Sequence, residues 1–346
     1  MGKEAVTNGY HTTLMKSMRK LFRLPAMIGI YSISIFLWYL SWLTIGDRNW
    51  WLVLLSRFAA YLFVPGLLLM VVAMLKRRRK LFFPLFLPAL IFILLYYPYL
   101  LPKPAKPISE SEVLKVMTYN VLYSNTDYDA MAKVILEYGP DLLALQEVPP
   151  EMMDALVERL ADEYPYHFFA ADHNFGTSAV FSRHPLADAY GLDLIAPRPA
   201  TVVKTEINDK EVVFVAAHLR PYNLWWTQLK DIPATIMERT REQNRQAEII
   251  LNQIGEKDEI VIFGCDCNSY ETSSTYRMID QYLDNAAREV GLLLIGNELS
   301  GAKQDISPNH IDYVWYRGDI EPISVYKILD SGGSDHLPVL ATFRWK

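Results

Sequence analysis

The sequence predicts an α+β domain of two packed sheets with helices outside them, preceded by three membrane-spanning helices. Three observations carry that reading. Charge is unevenly placed: residues 1–101 hold 12 Lys and Arg against only Glu4 and Asp47, whereas residues 102–346 hold 22 Lys and Arg against 37 Asp and Glu. Long apolar runs are confined to the first part. Strand-like runs outnumber helical ones in the second. The averaged figures, 51% hydrophobic and a net charge of −5, therefore cover two unlike parts. They exclude a single soluble domain, a disulfide scaffold and a disordered chain. The net −15 of the second part argues against a basic nucleic-acid-binding face.

Leu24–Ile45 and Leu81–Pro102 are runs of 22 residues without a charge, and Phe58–Leu75 is one of 18. Roughly 20 apolar residues cross a bilayer, so three spans are expected, at about 24–45, 51–75 and 81–101 of a membrane domain covering 1–101. Three buried core helices are the plainer alternative. However, Trp38, Trp42, Trp50, Trp51, Tyr96, Tyr97 and Tyr99 crowd the run ends as an aromatic belt does. A cleaved signal peptide fits poorly, since the first run is too long and two more follow. Lys16, Arg19, Lys20 and Arg23 precede the first span, and Lys76–Lys80 (KRRRK) separates the second from the third. By the positive-inside rule both face the cytoplasm. The expectation is a multi-pass protein of the cell membrane, N-terminus cytoplasmic and residues beyond the third span extracytoplasmic.

Residues 102–112, opening Pro102-Lys103-Pro104-Ala105-Lys106-Pro107, read as a stiff linker. The domain at 113–346 follows. Strands are expected at Val113–Asn120, Leu142–Gln146, Ser178–Ser182, Thr201–Ile207, Val212–His218 and Ile260–Cys265. Three more close the chain at Ile311–Tyr316, Ile323–Ile328 and Val339–Arg344. Helical patterns occupy Tyr128–Glu137, Glu151–Ala161 and Ile236–Ile254. Helices are too sparse for one doubly wound parallel sheet, so two packed sheets suit better.

Polar residues sit at the strand ends: Asn120 in MTYNV, Glu147 in LQEV, His218 in AAHL, Asp266 and Asn268 in FGCDCN, Asp312 in HIDYV, and Asp335-His336 in GSDHLP. One Asp or Asn at a strand end is ordinarily a turn former. Six such clusters of carboxylate, amide and imidazole point to a shared site.

From about Val113 to Lys346 the chain resembles the endonuclease/exonuclease/phosphatase superfamily. The blocks TYNV, LQEV, GTSAVFSRHPL, AAHL, CDCN, HIDYV and SDHLP occur in order, and seven ordered blocks are far more specific than one. The resemblance implies a four-layered αββα sandwich, preceded here by three transmembrane helices, with the site at one rim between the sheets. It departs where a Gly-Asp-Phe-Asn block reads Cys265-Asp266-Cys267-Asn268, and where an Arg common before the Ile-Asp-Tyr block is His310. No acidic partner for His218 is apparent.

The resemblance implies Asn120 and Glu147 as metal ligands, with Asp335 a further one, and Asp266 as the base that orients water. It implies that Asn268 holds a phosphate oxygen, that His336 oriented by Asp312 binds or protonates the phosphoryl group, and that His218 is a second phosphate-facing group. Oxygen ligands without thiolate suit Mg²⁺ or Mn²⁺. Cys265 and Cys267 lie two apart, on one face of a strand. They could bind metal or form a bridge in an oxidising compartment; small buried thiols flanking Asp266 are expected. Leu224-Trp225-Trp226, in a Pro-broken loop after His218, is either packed onto the domain or an apolar lip for lipid. The expected activity is a membrane-anchored, metal-dependent phosphoesterase acting on a lipid or lipid-linked phosphate ester, with the bilayer as its partner. No obligate protein partner is evident. An extracytoplasmic nuclease is the alternative, and a non-catalytic binding module a weaker one.

Overall fold

The structure, a computed structural model, describes residues 24–101, 113–170, 177–195, 198–224, 227–254, 259–291, 299–300, 305–306 and 310–346. The linker at 102–112 and the pair Trp225–Trp226 lie outside the described residues. The chain divides into two compact units, Met1–Tyr97 and Pro98–Lys346.

The first unit is helical: α1 (Leu24–Thr44), α2 (Trp50–Arg57), α3 (Ala59–Leu75) and α4 (Arg79–Leu100), the last running into the second unit. Among the described residues, α1 and α4 are each long and apolar enough to cross a membrane. The expected second span is not one straight helix, because α2 and α3 meet at a 56° bend. The break falls at Phe58, just past Ser56-Arg57, where the apolar run is interrupted. α2 exposes Trp50, Trp51 and Leu55 while burying Leu52, Val53 and Ser56. If that bent pair is a single span, the spans number three. Pro65 sits inside α3 without ending it. There the Tyr31 hydroxyl donates to the Leu62 carbonyl at 2.8 Å, and Gly66 admits the Tyr31 ring, since a Cβ would lie 2.5 Å from its hydroxyl. Neighbouring helices satisfying a proline-disturbed backbone is how spans tolerate proline.

The second unit holds two six-stranded sheets. One is ordered β13-β14-β1-β2-β4-β3 and the other β5-β6-β7-β8-β12-β9, where β9 is the two-residue Asp284–Asn285. The strands that matter are β1 (Val113–Asn120), β2 (Leu142–Val148), β4 (Thr177–Ser182), β6 (Ala200–Ile207), β7 (Lys210–His218), β8 (Ile260–Asp266), β12 (Asp312–Arg317), β13 (Ile320–Lys327) and β14 (Val339–Trp345). Val116, Ala144, Val180, Phe214, Ile262, Val314 and Phe343 fill the space between the sheets. Helices α5 (Tyr128–Tyr138) and α6 (Pro150–Leu160) cover the first sheet through Met131, Ile135, Met152 and Leu156. Helix α7 (Ile232–Gln253) and the short α8 (Ser274–Ile279) cover the second through Ala247, Ile250, Tyr276 and Ile279. The result is the expected four-layered αββα sandwich. Its helix ends follow local rules: Asp127 caps α5 by accepting from the Ala130 amide, and Gly139 ends it at φ +53°.

Strands β3 (Tyr166–Phe169) and β5 (Leu186–Leu192) are additions to the sequence reading. Both are exposed edge strands, and their mixed polarity hides the alternation that marks a half-buried strand.

Candidate active site

Topology gathers the polar strand ends at one rim. β1 and β2 are parallel, with Asn120 opposite Gln146. β7 and β8 are parallel, with His218 opposite Asp266. Antiparallel β12 begins where β8 ends, so Asp312 faces Asp266 across the ladder. Antiparallel β14 begins beside the end of β1, which brings the Asp335-His336 turn to the same edge. Side-chain alternation then selects the face. Val116 on β1, Phe214 and Ala216 on β7, Ile262 on β8 and Val314 on β12 all point between the sheets. Asn120, His218, Asp266 and Asp312 share their parity and point there too, at 2%, 3%, 1% and 1% exposure.

Glu147 has the wrong parity, and a backbone irregularity corrects it. The β2–β4 register shifts between Leu145 and Val148, and Glu147 takes φ +61°. Such bulges re-aim side chains beside active sites. The Glu147 carboxylate accepts from the Tyr123 amide at 3.2 Å and lies 3.7 Å from His218 Nδ1.

Asp266 is the hub. Its Oδ2 accepts from Asn120 Nδ2 at 2.9 Å and lies 3.3 Å from His218 Nε2 and 3.9 Å from His336 Nε2. Its Oδ1 accepts from the Asn268 amide at 3.1 Å. Asn268 turns the chain at φ +45° and donates from Nδ2 to the Leu219 carbonyl. His336 Nδ1 lies 2.8 Å from Asp312 Oδ2. Its turn is tied to β1 by the Ser334 hydroxyl, which donates to the Asn120 carbonyl at 2.6 Å and accepts from the His336 amide. Asp335, in that turn, is exposed.

Electrostatics separate the groups. Burial pushes the Asp266 carboxyl up to about 8, Asp312 adds to the rise, and His336 and the Asn120 hydrogen bond oppose it. Burial disfavours a charged His336, but Asp312 and Asp266 outweigh it and hold the imidazole well above its ordinary value. His218 is held well below, by burial first and then by Arg198 and His336. A neutral ring and a cationic ring thus flank one buried carboxyl.

The sequence reading missed Arg198. One of its guanidinium nitrogens lies 2.7 and 2.9 Å from the two ring nitrogens of His218 and 3.5 Å from Glu147 Oε1. Arginine only donates, so the ring nitrogen it addresses accepts, in keeping with a neutral His218. Nothing in the residues around Arg198 marks it; it lies in a loop before β6. Gln243 of α7 was also missed. Its amide donates to the carbonyls of Arg220 and Asn268 at 2.7 and 3.0 Å, joining the two chain segments that leave the rim. Behind Asp312, burial lowers Lys327 on β13 to about 8, with Glu271 and Asp312 partly offsetting. His310 packs on the Tyr313 ring, with Nδ1 3.4 Å from Glu271.

The expectation of free thiols is corrected. Cys265 and Cys267 are bonded to each other, with Cα atoms 5.1 Å apart, inside the range a disulfide spans.

The residues fit a hard divalent cation. Asn120, Glu147 and Asp266 carry oxygen donors at the same rim, the Glu147 carboxylate 3.7 Å from His218 Nδ1 and Asp266 Oδ2 3.3 Å from His218 Nε2, and oxygen donors are what such a cation takes. Asp266, Asp312 and His336 also place ligand atoms within 4.8 Å of one another. That trio already holds a cationic imidazole, which disfavours a metal between them.

Residues 117–336, more than half of the chain, match the family model described as "Endonuclease/Exonuclease/phosphatase family". The chain belongs to that family. Members of this family are hydrolases of phosphate esters, typically dependent on divalent metal. No curated protein matches the sequence significantly. Solved structures share the fold. D. rerio TDP2 complexed with single strand DNA product aligns over 67% of this chain and 99% of its own, at 17% identity and a TM-score of 0.55. The human Nocturnin catalytic domain with bound sulfate anion aligns over 68% and 94%, at 20% identity and 0.53. The family protein from Beutenbergia cavernae aligns over 68% and 72%, at 21% identity and 0.53.

Proposed function

We propose that this family member is a membrane-anchored, divalent-metal-dependent phosphoesterase that hydrolyses a lipid or lipid-linked phosphate ester on the extracytoplasmic side. The observation that carries the hydrolytic part is the convergence on Asp266 of Asn120, His218, Asn268 and the Asp312–His336 pair. Mg²⁺ or Mn²⁺ held by Asn120 and Glu147, with Asp335 as a further ligand, would neutralise charge on the phosphoryl oxygens. Asp266, fixed by the Asn120 and Asn268 hydrogen bonds, takes the proton of the attacking water. A base near neutral pH serves that role. His336, charged and steered by Asp312, donates toward the phosphoryl group or the leaving oxygen. Asn268 and neutral His218 orient phosphate oxygens, and Arg198 supplies a fixed positive charge beside them.

The lipid part is supported by the apolar helices and the linker at 102–112, short enough to raise the effective concentration of membrane-held substrate. The extracytoplasmic part is supported by the basic residues before the first span and between the second and third, and by the Cys265–Cys267 bridge, since disulfides persist in oxidising compartments. Trp225 and Trp226 would form the apolar lip that admits the lipid. A nuclease is the second reading, favoured by the D. rerio TDP2 structure complexed with single strand DNA product. The deciding experiment gives the purified full-length protein Mg²⁺ and compares phospholipids, sphingomyelin, polyprenyl pyrophosphates, inositol phosphates and single- and double-stranded DNA. Turnover of a lipid in preference to DNA is expected. Turnover of DNA alone overturns the lipid reading, and turnover of none overturns phosphoester hydrolysis.

A further inference from the structure

The two cysteines occupy a particular place. Cys265 belongs to the last turn of the pleat in β8, Asp266 is its final residue, and Cys267 follows. Asp266 is also the last position paired on both sides, to His218 on β7 and Asp312 on β12. Beyond it, the Cys267 amide donates to the Ile311 carbonyl, the Asp266 carbonyl accepts from the Leu219 amide, and the chain turns at Asn268 through φ +45°. The Asp266 side chain points between the sheets. Cys265 and Cys267 lie in the opposite layer, fully buried with Phe263, Ile250, Tyr276, Tyr313 and Trp315.

Alternate residues of a strand stand about 6.6–6.8 Å apart, whereas the Cα atoms of Cys265 and Cys267 are 5.1 Å apart. The chain is therefore bent at Asp266, and the bridge spans the bend from behind. It encloses the backbone of the residue at the centre of the site and adjoins that of Asn268. A bend at this point sets the direction in which the Asp266 carboxyl leaves the strand. That carboxyl must meet Asn120 Nδ2 at 2.9 Å and the Asn268 amide at 3.1 Å.

We propose that the Cys265–Cys267 bridge is a positioning clamp for Asp266 and Asn268, so that the site is fully assembled only in the oxidised protein. The proposal rests on Asp266 and Asn268 acting as read above. Reduction by a dithiol breaks the S–S bond. The dithiol gives up two electrons and two protons, closing to its own disulfide, and two protein thiols remain. The bend is then held only by the ladder and the turn. A domain still on a reducing side of the membrane would carry the loosened site, and oxidation after transfer would tighten it.

The test uses the full-length protein purified in detergent without reductant. Its intact mass is expected about 2 Da below that of the same protein refolded with a dithiol. The Cys265→Ser/Cys267→Ser variant is expected to lose about 10- to 100-fold in kcat, the scale of a ~1 Å misplacement, with a smaller change in KM. A readout independent of turnover is amide exchange. In that variant, exchange should quicken at Leu219 and Asn268 and stay unchanged at Phe263, within the ladder. If the variant does not fold, native protein reduced by the dithiol should lose kcat and regain it on reoxidation. Two free thiols in protein isolated from the oxidising side, or wild-type kcat and exchange without the bridge, overturn the clamp. If the wild-type protein hydrolyses no phosphoester, the exchange comparison still decides it: faster exchange supports the clamp, unchanged exchange overturns it.

Discussion

Gly264→Ala tests how the two sheets bring the site together. Gly264 lies two residues before Asp266 on the face between the sheets, and a Cβ there would stand 2.8 Å from the Ala144 Cβ and 3.2 Å from the Thr118 Cβ. Carbon atoms pack at about 3.5–4.0 Å, so the sheets must part locally by about 0.7 Å or more. The same gap is bridged at the rim by Asn120 Nδ2 and Asp266 Oδ2 at 2.9 Å. Widened equally, that contact reaches about 3.6 Å and ceases to be a hydrogen bond. Overpacking of this kind costs about 1–3 kcal/mol. In a domain of this size, about 2 kcal/mol lowers the Tm by roughly 4–8 °C. Catalysis should suffer more than stability, because small misplacements cost up to about 10²-fold. The assay pairs thermal unfolding with metal-supported phosphoester turnover for Gly264→Ala, Ala144→Gly and the double variant. The double variant should recover part of both losses, since it removes the 2.8 Å contact. A Gly264→Ala protein with wild-type Tm and kcat refutes the spacing argument, and a double variant with no recovery removes Ala144 as its cause.

Four further outcomes follow from the site. EDTA should abolish turnover and Mg²⁺ or Mn²⁺ restore it; full activity in EDTA removes the cation from the reading. Asp266→Asn and His336→Ala should each lower kcat by about 10²–10⁴-fold with unfolding curves preserved, and a near-normal rate strips that residue of its role. His218 is buried and held below its unfolded value. Its contribution to stability is therefore complete above about pH 6.5 and is lost as pH falls below that, by up to about 1.4 kcal/mol per pH unit; denaturation curves should show this slope flattened in His218→Asn, and identical slopes contradict it. Protease added to right-side-out vesicles should cut beyond Pro102 and spare the KRRRK loop, whereas protection of the C-terminal domain inverts the topology.

Most of the sandwich was legible because its central strands are apolar runs with sharp ends. β1, for instance, spans the expected Val113–Asn120. The rim residues were legible as polar residues closing those runs and as members of seven ordered family blocks; in the structure, strand parity turns Asn120, His218, Asp266 and Asp312 between the sheets. Glu147 shows where such reasoning fails: strict alternation sends it to the helix-covered face, and only the register shift and φ of +61° return it. That requires knowing what β4 pairs with, which no local pattern contains. Arg198 and Gln243 were hidden differently. One is a basic residue in a loop and the other a polar residue on an amphipathic helix, and both are ordinary until the fold brings them to His218 and Asn268. The bend at Phe58 was missed because hydropathy counts apolar residues without sensing that Ser56 and Arg57 change the face a helix must bury.

The charge of the catalytic domain bears on which substrate the site can serve. Net charge acts at long range on the encounter with a polyanion, and the −15 of residues 102–346 opposes that encounter. Binding within the site depends on local charge, and on the proposed reading Arg198 and the cationic His336 are the groups that meet the phosphate. A nucleic acid has to cross the repulsive field from solution, and its affinity comes largely from Lys and Arg contacts along many phosphates. A phosphate ester already held in the bilayer presents one phosphate and arrives by proximity rather than by steering. A domain acidic outside and cationic at one point within therefore favours the membrane-held substrate on the proposed reading. Salt separates the two cases: raising ionic strength through the physiological range weakens the Lys and Arg contacts along the phosphates of a nucleic acid, and leaves capture of a zwitterionic lipid held in the bilayer nearly unchanged.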